Sequence, residues 1–118
     1  MFTRVQAGPY SVRGVSVGGV YTCLQVPELS VVLDAGIPVR SFAGTDRVLL
    51  SHCHADHASG LGSLLGIRRL LGKTTPPRVF VPAESAPLLE ETLRAQARLH
   101  ACPMDVTLEP LQPGDERE

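Results

Sequence analysis

Three histidines and one aspartate fall within six consecutive residues, as His52, His54, Asp56 and His57. Imidazole nitrogens suit zinc, and a carboxylate suits zinc or a harder cation. Because His52 and His54 are two residues apart, their side chains point the same way if an extended strand ends there. Asp56 and His57 follow where the chain begins to turn, which aims the second pair at a neighbouring point. The spacing predicts one loop that supplies ligands to two adjacent metal ions.

A histidine in a loop is usually an ordinary surface residue, but a chain with four histidines in all rarely gathers three of them in one loop by chance. The fourth, His100, is expected at a helix end, where interaction with the last carbonyl groups is the default. Cys53 lies between two of the clustered histidines. Strand alternation should turn it away into packing, with thiolate ligation of a metal as the alternative.

Asp34 is a further candidate, two residues before Gly36 at the end of an expected strand. One interpretation is a turn-forming aspartate. The other is a carboxylate that orients a ligand histidine through its imidazole N–H. The spacing leaves both open.

The elements that must position these residues follow from the apolar pattern. The apolar run 47–50 predicts a strand that leads directly into the histidine loop. The remaining strands are expected at 12–17, 20–26, 30–33, 79–81 and 106–108. A helix is expected at 58–71, with an apolar face formed by Leu61, Leu64, Leu65 and Leu71.

A second helix is expected after Ser85, a plausible N-cap, with Pro87 in its first turn. Its buried side is expected to comprise Leu88, Leu89, Leu93 and Ala97. Strands first, followed by alternating strands and helices, indicate an α/β layered fold.

The composition limits the class of protein. A chain of 118 residues allows one domain, and with 43% apolar but only 4% aromatic residues Leu, Val and Ala must fill the core. The net charge of −1 gives no strong overall attraction to nucleic acid or membrane. Arg68 and Arg69 are expected on a solvated helix face, with a local basic patch as the alternative. Three cysteines without Cys-x-x-Cys spacing argue against a disulfide framework and favour a reducing, cytoplasmic setting. No apolar run approaches the ~18 residues that span a bilayer, so we expect a soluble protein without a membrane partner.

Residues 51–57, Ser-His-Cys-His-Ala-Asp-His, match the His-x-His-x-Asp-His signature of the metallo-β-lactamase superfamily, and residues 33–36 resemble its upstream Asp-x-Gly element. Within that superfamily the chain is most similar to ribonuclease Z and its relatives, over about residues 12–115. The flanking segments that carry this similarity are 58–65, 79–82 and 108–115.

The resemblance implies a four-layer αββα sandwich built from two similar halves. Residues 1–118 resemble only the first half, and we therefore expect a partial domain whose second half is absent. The superfamily's remaining ligands, a later histidine, a bridging aspartate and a final histidine, have no counterpart here. We accordingly expect the isolated chain to be inactive. A sheet face left uncovered would favour self-association, including a homodimer.

By the same resemblance, His52 and His54 would bind one zinc ion, while Asp56 and His57 would bind a second. Asp56 would also handle a proton in catalysis, and Asp34 would support the loop. The implied reaction is hydrolysis of an RNA phosphodiester, with precursor tRNA cut at its 3′ end. Two alternatives remain: another hydrolase of this fold that acts on a thioester, a lactone or a small phosphodiester, or a metal-binding or structural module without catalysis.

Overall fold

The structure, a computed structural model, describes residues 2–117. Over these residues seven strands form one mixed sheet, and three α-helices connect or flank them. The strands are β1 Thr3–Ala7, β2 Tyr10–Val17, β3 Tyr21–Val26, β4 Val31–Leu33, β5 Arg47–Leu49, β6 Arg78–Pro82 and β7 Thr107–Leu111. The helices are α1 Ala55–Ala58, α2 Leu61–Leu70 and α3 Ala86–His100, and short 3-10 turns occur at Pro27–Leu29 and Arg40–Phe42.

The strands lie in the sheet in the same order as in the sequence. Strands β1 to β4 pair antiparallel, whereas β4 to β7 pair parallel through connections that carry the helices. Strand β1 was not expected from the sequence. All five of its residues are exposed, so it lacks the alternation of apolar and polar positions that marks a half-buried strand.

Helices α2 and α3 share one hydrophobic core with the sheet. Alternate strand residues such as Val32, Val48 and Val79 are almost fully buried beneath them. The predicted inward faces are confirmed for α2 at Leu61, Leu64 and Leu65, and for α3 at Leu89 and Leu93. This core fixes the helices against the strands that carry the histidine loop.

Two residues expected in the core are exposed instead. The helix expected at 58–71 divides at Gly60, and Leu71 lies beyond the end of α2 with 48% of its surface exposed. Leu88 is 67% exposed, because it is rotated about 100° around α3 from its buried neighbour Leu89. Ser85 does occupy the N-cap position of α3, with Pro87 in the first turn, but its side chain makes no capping hydrogen bond.

Arg68 also departs from expectation, since it is only 4% exposed. Its guanidinium donates to the backbone carbonyls of Thr45 and Thr75 and to the carboxylate of Asp46, each at 2.9 Å. These acceptors satisfy a charge that would otherwise be costly to bury. Arg69 lies on the solvated face, as predicted, with its side chain 54% exposed.

The α/β class predicted from the sequence is confirmed. The opposite face of the sheet carries Leu33 and Leu49, which are paired across β4 and β5, and Leu49 is 38% exposed. The assignment to one half of a four-layer sandwich, and to a partial domain at residues 1–118, stays a prediction. Within the described part of the chain, no helix has the length and apolar character needed to cross a membrane.

Candidate metal centre

The histidine loop leaves the sheet at the carboxyl end of β5 and enters α1 at Ala55. Strand β4 runs parallel to β5, with Leu33 level with Leu49, so Asp34 and the loop emerge at the same edge of the sheet. Ligand sites in open α/β sheets lie at this carboxyl edge.

Backbone hydrogen bonds fasten the two loops together. The N–H of Ala35 donates to the carbonyl of His57 at 2.7 Å, and the N–H of Gly60 donates to the carbonyl of Ala35 at 2.8 Å. At Gly36 the approach is so close that a Cβ atom would lie 2.0 Å from the carbonyl oxygen of Asp56. Glycine at position 36 therefore allows the Asp-x-Gly segment to pack against the histidine loop.

Three of the predicted ligands form one donor group. His52, His54 and Asp56 each offer a ligand atom, and these atoms all lie within 4.8 Å of one another. Donors about 2.1 Å from a tetrahedral zinc lie about 3.4 Å from each other, so movements of about an ångström would gather these three around one ion. The rings of His52 and His54 meet edge to face, with centroids 4.6 Å apart.

His57 lies against this group. Its Nε2 is 3.2 Å from Asp56 Oδ2, and its ring centroid is 4.1 Å from that of His52. Asp56 thus contacts both the donor group and His57. The structure brings all four sequence-predicted ligands into one cluster, while their division between two ions stays a prediction.

Asp34 lies behind the cluster and is 8% exposed. Its Oδ2 accepts a hydrogen bond from His57 Nδ1 at 2.8 Å, and its Oδ1 accepts one from the backbone N–H of Ser51 at 2.8 Å. Its φ of 62° is left-handed, a conformation that aspartate adopts more readily than most residues. Asp34 therefore has both the turn geometry of the first interpretation and the histidine contact that the second requires.

The hydrogen bond from His57 to Asp34 raises the pKa of His57, and the negative charges of Asp34 and Asp56 add to the effect. Protonation of the imidazole is thus favoured in the folded chain without metal. Because a metal ion binds only the neutral ring, an ion bound at His57 would have to compete with the proton.

Cys53 and His100 lie outside the donor group found among residues 2–117. Cys53 packs against the hydrophobic core, as predicted, although β5 ends at Leu49 and so does not reach it, and burial raises the pKa of its thiol. His100 is the last residue of α3 and is exposed, again as predicted.

Ser51 is a site residue to which the sequence analysis gave no role. Its hydroxyl lies 2.9 Å from His52 Nδ1 and 2.9 Å from Asp34 Oδ2. The sequence signal that could have identified Ser51 was its position, because its hydroxyl-bearing side chain directly precedes the first candidate ligand histidine.

The chain resembles known proteins over nearly its whole length. It is 33% identical to the nuclear ribonuclease Z of Triticum aestivum over 115 residues, which covers 98% of this chain and 65% of that protein. The chain is related to ribonuclease Z. A chloroplastic tRNase Z of Arabidopsis thaliana is 34% identical over 115 residues, covering 97% of this chain and 32% of that protein. A second tRNase Z of the same plant is 30% identical over 112 residues, or 95% of this chain and 40% of that protein.

The chain thus spans between about a third and two thirds of the length of these relatives. No family model matches it. The relationship to ribonuclease Z confirms that part of the resemblance predicted from the sequence, whereas membership of the metallo-β-lactamase superfamily stays a prediction.

Proposed function

We propose that this chain carries the zinc-binding loop of a ribonuclease Z-type endoribonuclease that cleaves precursor tRNA at its 3′ end. The observation that carries the proposal is the convergence of His52, His54 and Asp56 in one donor group. The proposal is also supported by the similarity to ribonuclease Z proteins, which extends over 95% or more of this chain.

The donor set fits zinc. It combines imidazole nitrogens with one carboxylate, which is the usual ligand chemistry of catalytic zinc. His57 adds a further imidazole whose Nδ1 is engaged by Asp34, so that its Nε2 remains for a metal. When bound, zinc would supply Lewis-acid stabilisation of charge on a phosphodiester and activation of water.

Four donors fill the coordination of a single closed zinc site, whereas a catalytic ion keeps a position open. Two ions would therefore need protein ligands beyond His52, His54, Asp56 and His57. We propose accordingly that the isolated chain binds zinc but lacks turnover, and that catalysis requires the further ligands implied by the resemblance.

The chain's own residues would have distinct parts in the reaction. Asp56 contacts His57 and lies within the donor group, so its carboxylate is placed to accept a proton from water and return it to the leaving oxygen. Asp34 would hold the His57 ring with Nε2 toward Asp56.

Calorimetric zinc titration of the purified chain tests the metal site. His54→Ala is expected to lower zinc affinity by at least about 10-fold, because one member of the donor group is lost. His100→Ala is the matched control, because it removes an exposed histidine outside the group, and it should leave the affinity unchanged. Equal zinc affinity for wild type and His54→Ala would contradict the metal site.

A chimaera tests the reaction. Residues 33–60 of this chain replace the corresponding segment of the wheat nuclear ribonuclease Z, and cleavage of 3′-extended precursor tRNA is measured with zinc. We expect the chimaera to cleave and its His54→Ala variant to be inactive. Retained cleavage by that variant would exclude the proposed role.

The isolated chain should be assayed in parallel with bis-p-nitrophenyl phosphate, a thioester and a lactone. Zinc-dependent turnover of the thioester or the lactone alone would favour another hydrolase over the nuclease. No turnover of any of the three is the result that the proposal predicts.

A further inference from the structure

We infer that Ser51 is a positioning residue that sets the tautomer of His52 and so makes Nε2 the metal-binding nitrogen of that ring. The inference rests on the proposed function, because that proposal supplies the metal ion. The effect of Ser51 on the His52 tautomer is argued from the hydrogen bonds of the structure. It concerns three residues in contact: Asp34, Ser51 and His52.

The chain of hydrogen bonds begins with the hydroxyl proton of Ser51. The Oγ atom lies 3.0 Å from Asp34 Oδ1 and 2.9 Å from Asp34 Oδ2. An ionised carboxylate only accepts hydrogen bonds, and a serine hydroxyl has a single hydrogen to donate. That hydrogen must point at Asp34, because otherwise oxygen lone pairs would face each other at hydrogen-bond distance.

The chain of hydrogen bonds continues from Ser51 to His52. Since the hydroxyl hydrogen of Ser51 is engaged by Asp34, its oxygen can only accept from His52 Nδ1, which lies 2.9 Å away. A neutral imidazole has one N–H, so a proton on Nδ1 leaves the lone pair on Nε2. A metal ion would then bind His52 through Nε2, the nitrogen whose lone pair is free.

The same carboxylate sets a second ring directly. His57 Nδ1 lies 2.8 Å from Asp34 Oδ2, which gives His57 the same tautomer as His52. Asp34 thereby orients two potential ligands, one through its own oxygen and one through the hydroxyl of Ser51. His57 serves as an internal reference, because its contact does not pass through Ser51.

The backbone N–H of Ser51 donates to Asp34 Oδ1 at 2.8 Å, and this bond does not need the side chain. Ser51→Ala therefore removes the hydroxyl link while the loop stays fastened to Asp34. Ser51→Thr keeps a hydroxyl at the same position. Ser59→Ala is a matched control, because the Ser59 hydroxyl donates to the backbone carbonyl of Gly36 and makes no hydrogen bond to a histidine.

The experiment records the histidine ring nitrogens by long-range ¹H–¹⁵N NMR in the chain without metal, with the pH raised until the ring-nitrogen shifts no longer change. In the wild type, His52 and His57 should both carry the proton on Nδ1. In Ser51→Ala, His52 should shift toward the Nε2-protonated tautomer while His57 keeps its own. Ser51→Thr and Ser59→Ala should match the wild type.

Zinc affinity is then measured by calorimetry on the same proteins. Loss of the residue that orients a ligand typically costs 10- to 100-fold, and for Ser51→Ala we expect about 10-fold, with wild-type affinity in Ser51→Thr and Ser59→Ala. An Nε2-protonated His52 in the wild type, an unchanged His52 in Ser51→Ala, or an unchanged zinc affinity in Ser51→Ala would overturn the inference. Absence of zinc binding in every protein would overturn the proposed function instead, because the tautomer is read without metal.

Discussion

Asp34 and His57 are 23 positions apart in the sequence, yet Asp34 Oδ2 and His57 Nδ1 are 2.8 Å apart in the folded chain. The parallel pairing of β4 with β5 brings them together, since it places the two following loops at one edge of the sheet. The geometry of the candidate metal site therefore depends on a contact between two separate segments of the chain.

Asp34→Asn should weaken zinc binding by about 10- to 100-fold, because an amide replaces a carboxylate that accepts from both Ser51 and His57. Calorimetric titration measures the loss. Glu28→Gln is a closely matched control, since Glu28 accepts from the backbone N–H and hydroxyl of Ser11 much as Asp34 does from Ser51. An equal loss of zinc affinity in both variants would show a general effect on folding rather than orientation of a ligand.

Gly36→Ala should disrupt the donor group, because its Cβ atom would lie 2.0 Å from the backbone oxygen of Asp56. We expect both zinc affinity and the free energy of unfolding to fall. Gly66→Ala in α2 is the control, since nothing lies within 4 Å of its Cβ position. Alanine there should stabilise the helix by about 0.5–1 kcal/mol. Urea unfolding compares the two variants, and an unaffected Gly36→Ala protein would contradict the close packing of the two loops.

Arg68→Met should lower the free energy of unfolding by about 2–4 kcal/mol, since the carbonyls of Thr45 and Thr75 would lose their charged donor. Arg69→Met, one residue further along α2, should change it by no more than about 0.5 kcal/mol, because that side chain is largely exposed. Urea unfolding of the two variants side by side distinguishes them. Similar effects from both substitutions would exclude a structural role specific to Arg68.

The charged carboxylate of Glu28 should contribute to the free energy of unfolding, and acid should remove that contribution. Hydrogen bonds from the backbone and hydroxyl of Ser11 lower the pKa of Glu28, so its carboxylate stabilises the folded state above the ordinary glutamate range. That contribution is lost as the pH falls through the lowered pKa. The difference in unfolding free energy between wild type and Glu28→Gln should thus be largest above about pH 4.5 and shrink in stronger acid.

Urea unfolding at a series of pH values measures this difference. Ser11→Ala keeps only the backbone donor and should retain part of the pH dependence. A difference between wild type and Glu28→Gln that stayed constant from neutral pH into acid would rule out the stabilisation of the charged carboxylate.

The clustering of the four candidate ligands was predictable from the sequence because they are nearly contiguous, and Cys53 packs against the core as expected even though β5 ends before it. The role of Ser51 was not predictable, because it depends on a carboxylate supplied by another strand. Arg68 was misjudged for the same reason. Its acceptors lie 7 to 25 residues away in the sequence, and no local pattern shows that they enclose it.

The differences between the predicted and the observed secondary structure have local causes. Strand β1 has no buried face to create an alternating pattern, and it forms by pairing with β2. Leu71 and Leu88 fit a regular apolar spacing, but helix ends and rotation around the helix axis decide which leucines reach the core. Periodicity identified the helices without fixing these details.

The sequential order of the strands has a consequence for biosynthesis. Every strand pairs with the one made just before it, so the sheet can grow in the direction of translation without waiting for a distant partner. Asp34 is already held by β4 when the histidine loop follows β5, and the bond from Gly60 to Ala35 closes the pair of loops. The donor group can therefore assemble before α3 and β7 have packed onto the growing sheet.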